Sequence, residues 1–366
     1  MNTFEMNNVR RDSELNTQIR ANSPVVEVFA AMVDGKSLDR FGKKADVAVN
    51  YIKELGNRAD NGDAVAISEL NTIRRFVIEA PVMEEMRLLG IFGSYENVGY
   101  DETIEREVYT HVGDMSREQA ANGDVVFPMI NKEVYPVATF TVSGGVQNDY
   151  RRIQLGDMSK ENQLLANVKT DILNSAKAKI IRKVYDAIVN ATGIKYSFSG
   201  TNGLTKAGVD GVLNKVRRFG KPSILGDYAL LSQLTPWAGY DGNLNSTHFY
   251  GVSDEIINQV ASTGLLASYN GAVVAEMANP YNLLKTNAAG TDFETMLPVG
   301  LGFIVPAGVD SPIATYTRGG LTSFSGNDVK TGKVLTRFDL EVGCDVAKGQ
   351  EYKIGLIYDE ALGGLN

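Results

Sequence analysis

Residues 159–191 read SKENQLLANVKTDILNSAKAKIIRKVYDAIVNA and contain neither Pro nor Gly. Ser159 offers an N-cap, Glu161 suits the positive end of the dipole, and Gly193 stands just past the far end. At 1.5 Å per residue such a helix is a rod of roughly 50 Å, far longer than the average globular helix. Its apolar stripe is not straight. Leu165, Val168, Ile172, Ala176 and Ile180 share one face. Ile181, Val184, Tyr185, Ile188 and Val189 point nearly opposite, at roughly 100° per residue. The switch predicts different neighbours along the length rather than one coiled-coil partner. Taken alone, the stretch reads as the buried helix of a large α/β domain. Its basic residues Lys169, Lys177, Lys179, Arg182 and Lys183 scatter around the wheel, which predicts solvated positions and not a nucleic-acid stripe.

A chain of 366 residues can bury a sizeable core, in two domains or in one with large excursions. Lys plus Arg number 36 against 44 Asp plus Glu, and no tail is basic. This argues against a sequence-reading DNA binder but leaves loose nucleic-acid contact open. Cys344 is the single cysteine, so no intrachain disulfide and no thiolate cluster can form within one chain. His111 and His248 have no metal-ligand spacing. The polar start MNTFEMNNVRRDSELNTQ lacks an apolar signal core, and no run is long enough to span a bilayer. The reading is a soluble intracellular chain whose opening Met1 is not cleaved away and whose sequon at Asn245 is inert.

Residues 1–24 read as an arm. Residues 25–32, 45–55, 63–78 and 81–89 are short amphipathic helical pieces, separated by Gly35, Gly56, Gly62 and Pro81. In 103–112 Ile104, Arg106 and Val108 alternate with Glu105, Glu107 and Tyr109, as in a ribbon exposed on both faces. A polar tip at 113–124 follows. The chain returns through 125–130, a turn at 131–133 and a strand at 135–142, before Gly144, Gly145 and a polar run through Arg151 and Arg152. An isolated hairpin is marginal in water, so an excursion this long predicts a partner surface.

Beyond the long helix, 204–219 places Val209, Val212, Leu213 and Val216 at helical spacing. A strand at 222–225, helices at 227–234 and 254–261, a strand at 272–277 and a buried strand or turn at 297–305 follow. The end of the chain is strand-like at 313–317, 334–346 and 352–358. In 334–346 Phe338, Leu340, Val342, Cys344 and Val346 alternate with Asp339, Glu341, Gly343 and Asp345. This predicts one buried face, with Cys344 in the core, and one wet acidic face.

Catalytic signatures are missing. There is no phosphate-binding loop, HExxH, G-x-S-x-G or CxxC. The run from Asp241 to Asn245 opens like a calcium loop, but Val252 stands where its glutamate belongs. Glu84 and Glu85 are adjacent on a helix and diverge. The expectation is no enzyme, no catalytic residue, no cofactor and no metal site.

In layout the chain resembles the major capsid protein of tailed bacteriophages, the Hong Kong 97-type fold, over about residues 98–366. An extended loop at 103–152 leads into the helix at 159–191. Passages such as KPSILGDYALLSQLTPW and GLLASYNGAVVAEMANP follow, then VLTRFDLEVGCDV and YKIGLIYD. The resemblance implies an α+β fold with an N-terminal helical arm over 1–97 and an extended E-loop over 98–156. A P-domain with the spine helix would span 157–200, an axial A-domain 201–310, and returning P-domain strands 311–366. It implies a structural protein that self-assembles as pentamers and hexamers into an icosahedral head around double-stranded DNA. Its partners would be copies of itself, a portal, scaffolding or decoration proteins, and DNA contacted non-specifically, with no membrane. Assembly would occur in the host bacterial cytoplasm and the product would be the virion. Glu105, Arg106, Arg117, Glu118, Arg151 and Arg152 are the expected assembly contacts. The alternatives are an encapsulin-like nanocompartment shell and an enzyme of unrecognised type.

Overall fold

Glycines and capping residues divide the first part of the chain into three helices, α1 (Pro24–Val33), α2 (Lys43–Asp60) and α3 (Ala64–Leu88). The structure, a computed structural model, describes residues 24–88, 93–112, 118, 129–148, 159–238, 260, 262–287, 290–307, 311–328 and 333–363. Gly35 and Gly62 sit between helices at φ +65° and +82°, backbone that a side chain would strain. Asp63 accepts from the Val65 and Ala66 amides and so caps α3.

Two expected breaks are not breaks. Gly56 lies inside α2 and Pro81 inside α3. Proline in a helix interior removes a hydrogen bond and costs about 3 kcal/mol. The helix continues because Ile78, Val82 and Met86, four residues apart and all fully buried, carry one apolar row straight past Pro81. Tertiary burial of that row outweighs the local preference.

The chain divides into two compact units, and α4 (Ser159–Asn190), β12 (Ile313–Asp328) and β13 (Lys333–Val346) run through both. One unit holds Met1–Leu88, Phe140–Lys177 and Thr317–Val342; the other holds Leu89–Thr139, Ala178–Tyr316 and Gly343–Asn366. Strands β1 (Ser94–Val98), β12, β13 and β4 (Thr139–Asn148) form a sheet in the order β1-β12-β13-β4.

In the first unit α1, α2 and α3 pack on one another, burying Val28, Phe29, Ile52, Leu55, Leu70 and Ile73. Ion pairs tie them to α4: Asp34 to Lys169 at 2.7 Å, Glu85 to Lys177 at 2.7 Å and Arg74 to Glu161 at 2.5 Å. Lys169 and Lys177, expected to be solvated, are therefore engaged inside the subunit, while Lys179 and Arg182 are exposed. Gly144 lies within β4 rather than in a connecting loop, because α4 packs directly on that strand. A Cβ there would stand 2.8 Å from Val168 Cγ1 and 2.9 Å from Ile172 Cγ1. Gly144→Ala is expected to destabilise the subunit by about 1–3 kcal/mol through this overpacking, read as a lowered urea midpoint. An unchanged midpoint would show that the helix can move away.

The buried row on α4 turns gradually rather than switching. Ile172, Ala176, Ile180, Val184 and Ile188 are all buried and step by roughly 40° every four residues. The two ends of the helix thus face different neighbours, while Val189 is 42% exposed.

In the second unit β5 (Tyr196–Gly200), β6 (Lys221–Gly226), β7 (Ser268–Tyr269), β8 (Ala272–Glu276), β11 (Leu301–Ala307) and β14 (Gly355–Asp359) form one sheet in the order β5-β14-β11-β6-β8-β7. Helix α5 (Lys206–Val216), capped by Thr205, buries Val209, Val212, Leu213 and Val216 against it. The short α6 (Tyr228–Ser232) is capped by Asp227. A separate hairpin, β9 (Tyr281–Thr286) with β10 (Phe293–Thr295), was not expected from the sequence. The expected helix at 254–261 lies mostly outside the described residues.

On β13 the apolar face is buried as expected, and burial pushes the Cys344 thiol up to about 12. The acidic face is not wet. Arg337 holds Asp339, Arg318 holds Glu341, and Tyr135 and Arg106 hold Asp345. Alternation fixed which residues share a face but could not show that this face is also covered.

Candidate assembly interface

The ribbon consists of β2 (Glu105–Val112) and β3 (Met129–Pro136), paired antiparallel from Glu105↔Pro136 to Val112↔Met129. The turn expected at 131–133 does not form there. Asn131, Lys132 and Glu133 lie within β3 opposite Thr110, Tyr109 and Val108. The ladder to β2 gives their backbone groups partners that the polar composition alone does not reveal. The return strand expected at 135–142 is two strands, β3 ending at Pro136 and β4 starting at Thr139, and they join different sheets.

At its base the ribbon is not exposed on both faces. Ile104, Arg106, Val108 and Tyr135 are buried. Arg106 donates to the backbone carbonyls of Asp345 (2.9 Å), Ser311 (3.2 Å) and Pro312 (2.9 Å), and its guanidinium stands 3.5 Å from the Asp345 carboxylate. Tyr135, directly opposite Arg106 in register, donates to Asp345 at 2.7 Å. Burial and that bond push the Tyr135 hydroxyl up to about 12. Lys348 Nζ lies 4.3 Å above the Tyr135 ring. Val108, Tyr135 and Ala347 close a small apolar cluster beneath.

Further out the character changes. Tyr109, Val112, Met129, Ile130 and Val134 are all exposed. By register Val112 and Met129 share one face, and Tyr109, Ile130 and Val134 the other. Such a cluster on a two-stranded ribbon is what a docking surface looks like before its partner arrives. Glu107 pairs with Lys132, whose ammonium holds the carboxyl below its usual range. Glu105 is exposed on the same strand, and Glu118 is exposed beyond it. Arg117, Arg151 and Arg152 lie outside the described residues. Of the expected contacts, then, Glu105 faces outward and Arg106 is engaged in its own chain.

Nothing in the described residues gathers a catalytic set. The groove between β4 and the tips of β12 and β13 is lined by Ser143, Val146, Phe324, Leu335 and Arg337, and Arg337 is bonded to Asp339 and Ser143. Among the described residues no group of acidic, His and Cys side chains could hold a metal ion, and no helix is long and apolar enough to cross a membrane.

A ribbon fastened at its base, with Tyr109, Val112, Met129, Ile130 and Val134 exposed along its length, suits a subunit that meets other chains. The model of the family described as "SPbeta prophage-derived putative capsid protein YonB" matches residues 5–358, and the chain belongs to this family of prophage capsid proteins. Its role is that of a capsid shell protein of the virion, and its self-association builds that shell. The order of helical arm, ribbon, long helix and sheet domain is an α+β one, the layout expected of a Hong Kong 97-type subunit. No curated protein matches significantly. Among solved structures the chain is similar to that of Mycobacterium phage Cain, at 11% identity and TM-score 0.47, covering 77% of this chain and 90% of that one. It is also similar to the head of Helicobacter pylori bacteriophage KHP40, at 12% identity and TM-score 0.46, over 74% and 88%. The virus-like particle from Pyrococcus furiosus gives 10% identity and TM-score 0.43, over 76% and 97%.

Proposed function

We propose that the chain is the major subunit of a tailed-phage head, assembling in the host bacterial cytoplasm as pentamers and hexamers. Closed point-group symmetry built from repeated interfaces makes the container, which encloses double-stranded DNA held by non-specific contact. In this reading 98–156 is the E-loop, 157–200 and 311–366 the P-domain, and 201–310 the axial A-domain, after an N-terminal arm over 1–97. A portal, with scaffolding or decoration proteins, completes the particle.

The observation that carries the reading is the ribbon: anchored by Arg106 and Tyr135, it exposes Tyr109, Val112, Met129, Ile130 and Val134 among charged neighbours. Glu105, Arg117, Glu118, Arg151 and Arg152 would supply rim contacts worth about 0–1 kcal/mol each. The exposed Met129 and Ile130 would supply most of the burial. Purified protein is expected to form shells visible by negative stain, with nuclease-protected DNA in particles from infected cells. Deleting residues 114–124 should leave the far-UV spectrum of the monomer intact and abolish shells. Normal shells from that deletion would overturn the role of the ribbon, and shells filled with a cargo enzyme instead of DNA would overturn the phage-head reading.

A further inference from the structure

We propose that Asn202–Gly203 is a spontaneous modification site, where the Asn202 amide is lost to give aspartate and isoaspartate, and that the isoaspartate form loosens the corner between β5 and α5. The inference stands apart from the shell reading and concerns the folded subunit itself.

The reaction needs no second protein and no cofactor. The backbone nitrogen of Gly203 loses its proton and attacks the side-chain carbonyl carbon of Asn202. The bond from that carbon to the amide nitrogen breaks, and ammonia leaves. Water then opens the cyclic imide at either carbonyl. One opening restores the chain as aspartate; the other routes the backbone through the former side chain and adds a methylene to it. Glycine favours the attack because no side chain shields its nitrogen.

Four Asn-Gly pairs occur, at Asn61, Asn122, Asn202 and Asn270. Asn122 lies outside the described residues. The fold treats the other three differently. At Asn61, Nδ2 donates to the Asn57 carbonyl at 3.0 Å, and the nitrogen that would attack, that of Gly62, donates to the Ala59 carbonyl at 3.0 Å. At Asn270, Nδ2 donates to Asp210 Oδ1 at 2.8 Å, and the Asn270 carbonyl accepts from Arg217 Nη1 at 2.8 Å. The Asp210 carboxylate would also oppose the negative charge of the product. The Asn202 side chain, by contrast, is exposed and makes no hydrogen bond with the described residues. Gly203 stands at φ +102°, backbone that a side chain would strain. The corner therefore holds in place the very residue that makes its neighbour labile.

That corner has no slack for an extra methylene. A Cβ on Gly200 would clash with the Gly203 carbonyl oxygen, and Thr201 and Gly203 are joined by an isolated bridge. The next amide, that of Leu204, donates to Gln233 Oε1 at 3.0 Å, and Gln233 Nε2 donates to the buried Asp359 at 2.6 Å. A backbone lengthened at residue 202 draws Leu204 away from Gln233, one residue before Thr205 caps α5.

The full chain, aged in mildly alkaline buffer, tests this by peptide mapping with an isoaspartyl methyltransferase assay. Asn202 should convert about tenfold or more faster than Asn61 and Asn270, where hydrogen bonds have to break first. The Leu204 amide should then exchange with solvent faster than in fresh protein. Asn202→Gln, whose longer side chain closes the ring slowly, should abolish both changes while keeping the far-UV spectrum of the parent. Asn202→Asp carries the product's charge without the methylene and should leave Leu204 protected. Equal conversion at the three sites would place the reaction in the unfolded chain and overturn the assignment, as would an Asn202 that stays intact. Conversion with Leu204 exchange unaltered, or fast exchange already in Asn202→Asp, would overturn the loosening by the added methylene.

Discussion

Arg74→Met alone, or Glu161→Leu alone, is expected to cost about 3–5 kcal/mol, whereas the two together should leave stability within about 1 kcal/mol of the parent or above it. Both side chains are 2% exposed, and Arg74 Nε donates to Glu161 at 2.5 Å. Arg74 also donates to Asn71 Oδ1 at 3.1 Å, and Asn71 in turn reaches Ser325. Removing one partner strands a charge where both side chains are almost wholly out of water. Removing both replaces two desolvated ions with apolar volume. The case for a stabilised double variant is strengthened by two atoms, Arg74 Nη2 and Glu161 Oε2, that have no partner among the described residues. Glu161 lies in the first turn of α4, where the helix dipole favours its negative charge. That contribution reduces the gain but does not reverse it. Urea denaturation of the four members of the cycle decides the matter. Additive losses would mean that the pair is not coupled and that each residue acts through its own packing.

That pair also marks where sequence reading ends. The bounds of α4 were legible because its composition forbids any other local structure, and α5 because Val209, Val212, Leu213 and Val216 repeat at helical spacing. The buried face of β13 was legible because strict alternation admits one assignment. Glu161, by contrast, was read only as a residue suited to a helix start, and Arg74 drew no notice. Their meeting across 87 positions leaves no trace in a local window. The same limit explains Pro81 and the 131–133 turn, where local preference was read correctly and then overridden by burial and by strand pairing. It explains Asp339, Glu341 and Asp345, whose face looked solvent-bound until Arg337, Arg318 and Arg106 were found against it.

In the candidate interface the sequence revealed a two-stranded ribbon, because alternation without a sustained apolar face is rare in a core strand. It did not reveal which charged residues anchor the ribbon and which are presented outward. Glu105 and Arg106 are neighbours of similar polarity in the sequence. One residue of strand pleat turns Arg106 into the subunit and leaves Glu105 facing away from it. The β9–β10 hairpin was missed for a related reason. Its strands are short, and the run between them carries ordinary loop residues.

The anchoring role gives Arg106 the second large effect. Arg106→Ala is expected to destabilise the sheet unit by about 2–4 kcal/mol, because the carbonyls of Ser311 and Asp345 lose a charged donor and the Asp345 carboxylate keeps only Tyr135 nearby. Pro312 is less affected, since its carbonyl also accepts from the Ala347 amide at 2.7 Å. Arg106→Lys should recover only part of the loss: one ammonium cannot reproduce the fork that reaches three carbonyls. The distinguishing measurement is hydrogen exchange. Amides of β2 and β3 should exchange faster in both variants, while those of β6 and β11 in the sheet core stay protected. A ribbon that swings free still presents Met129 and Ile130, but no longer at a fixed angle, so particle yield should fall more steeply than stability does. Equal protection of β2 in parent and variant would show that the ladder to β3 and the Val108, Tyr135 and Ala347 cluster hold the base unaided. Arg106 would then be a tenant of the interface and not its anchor.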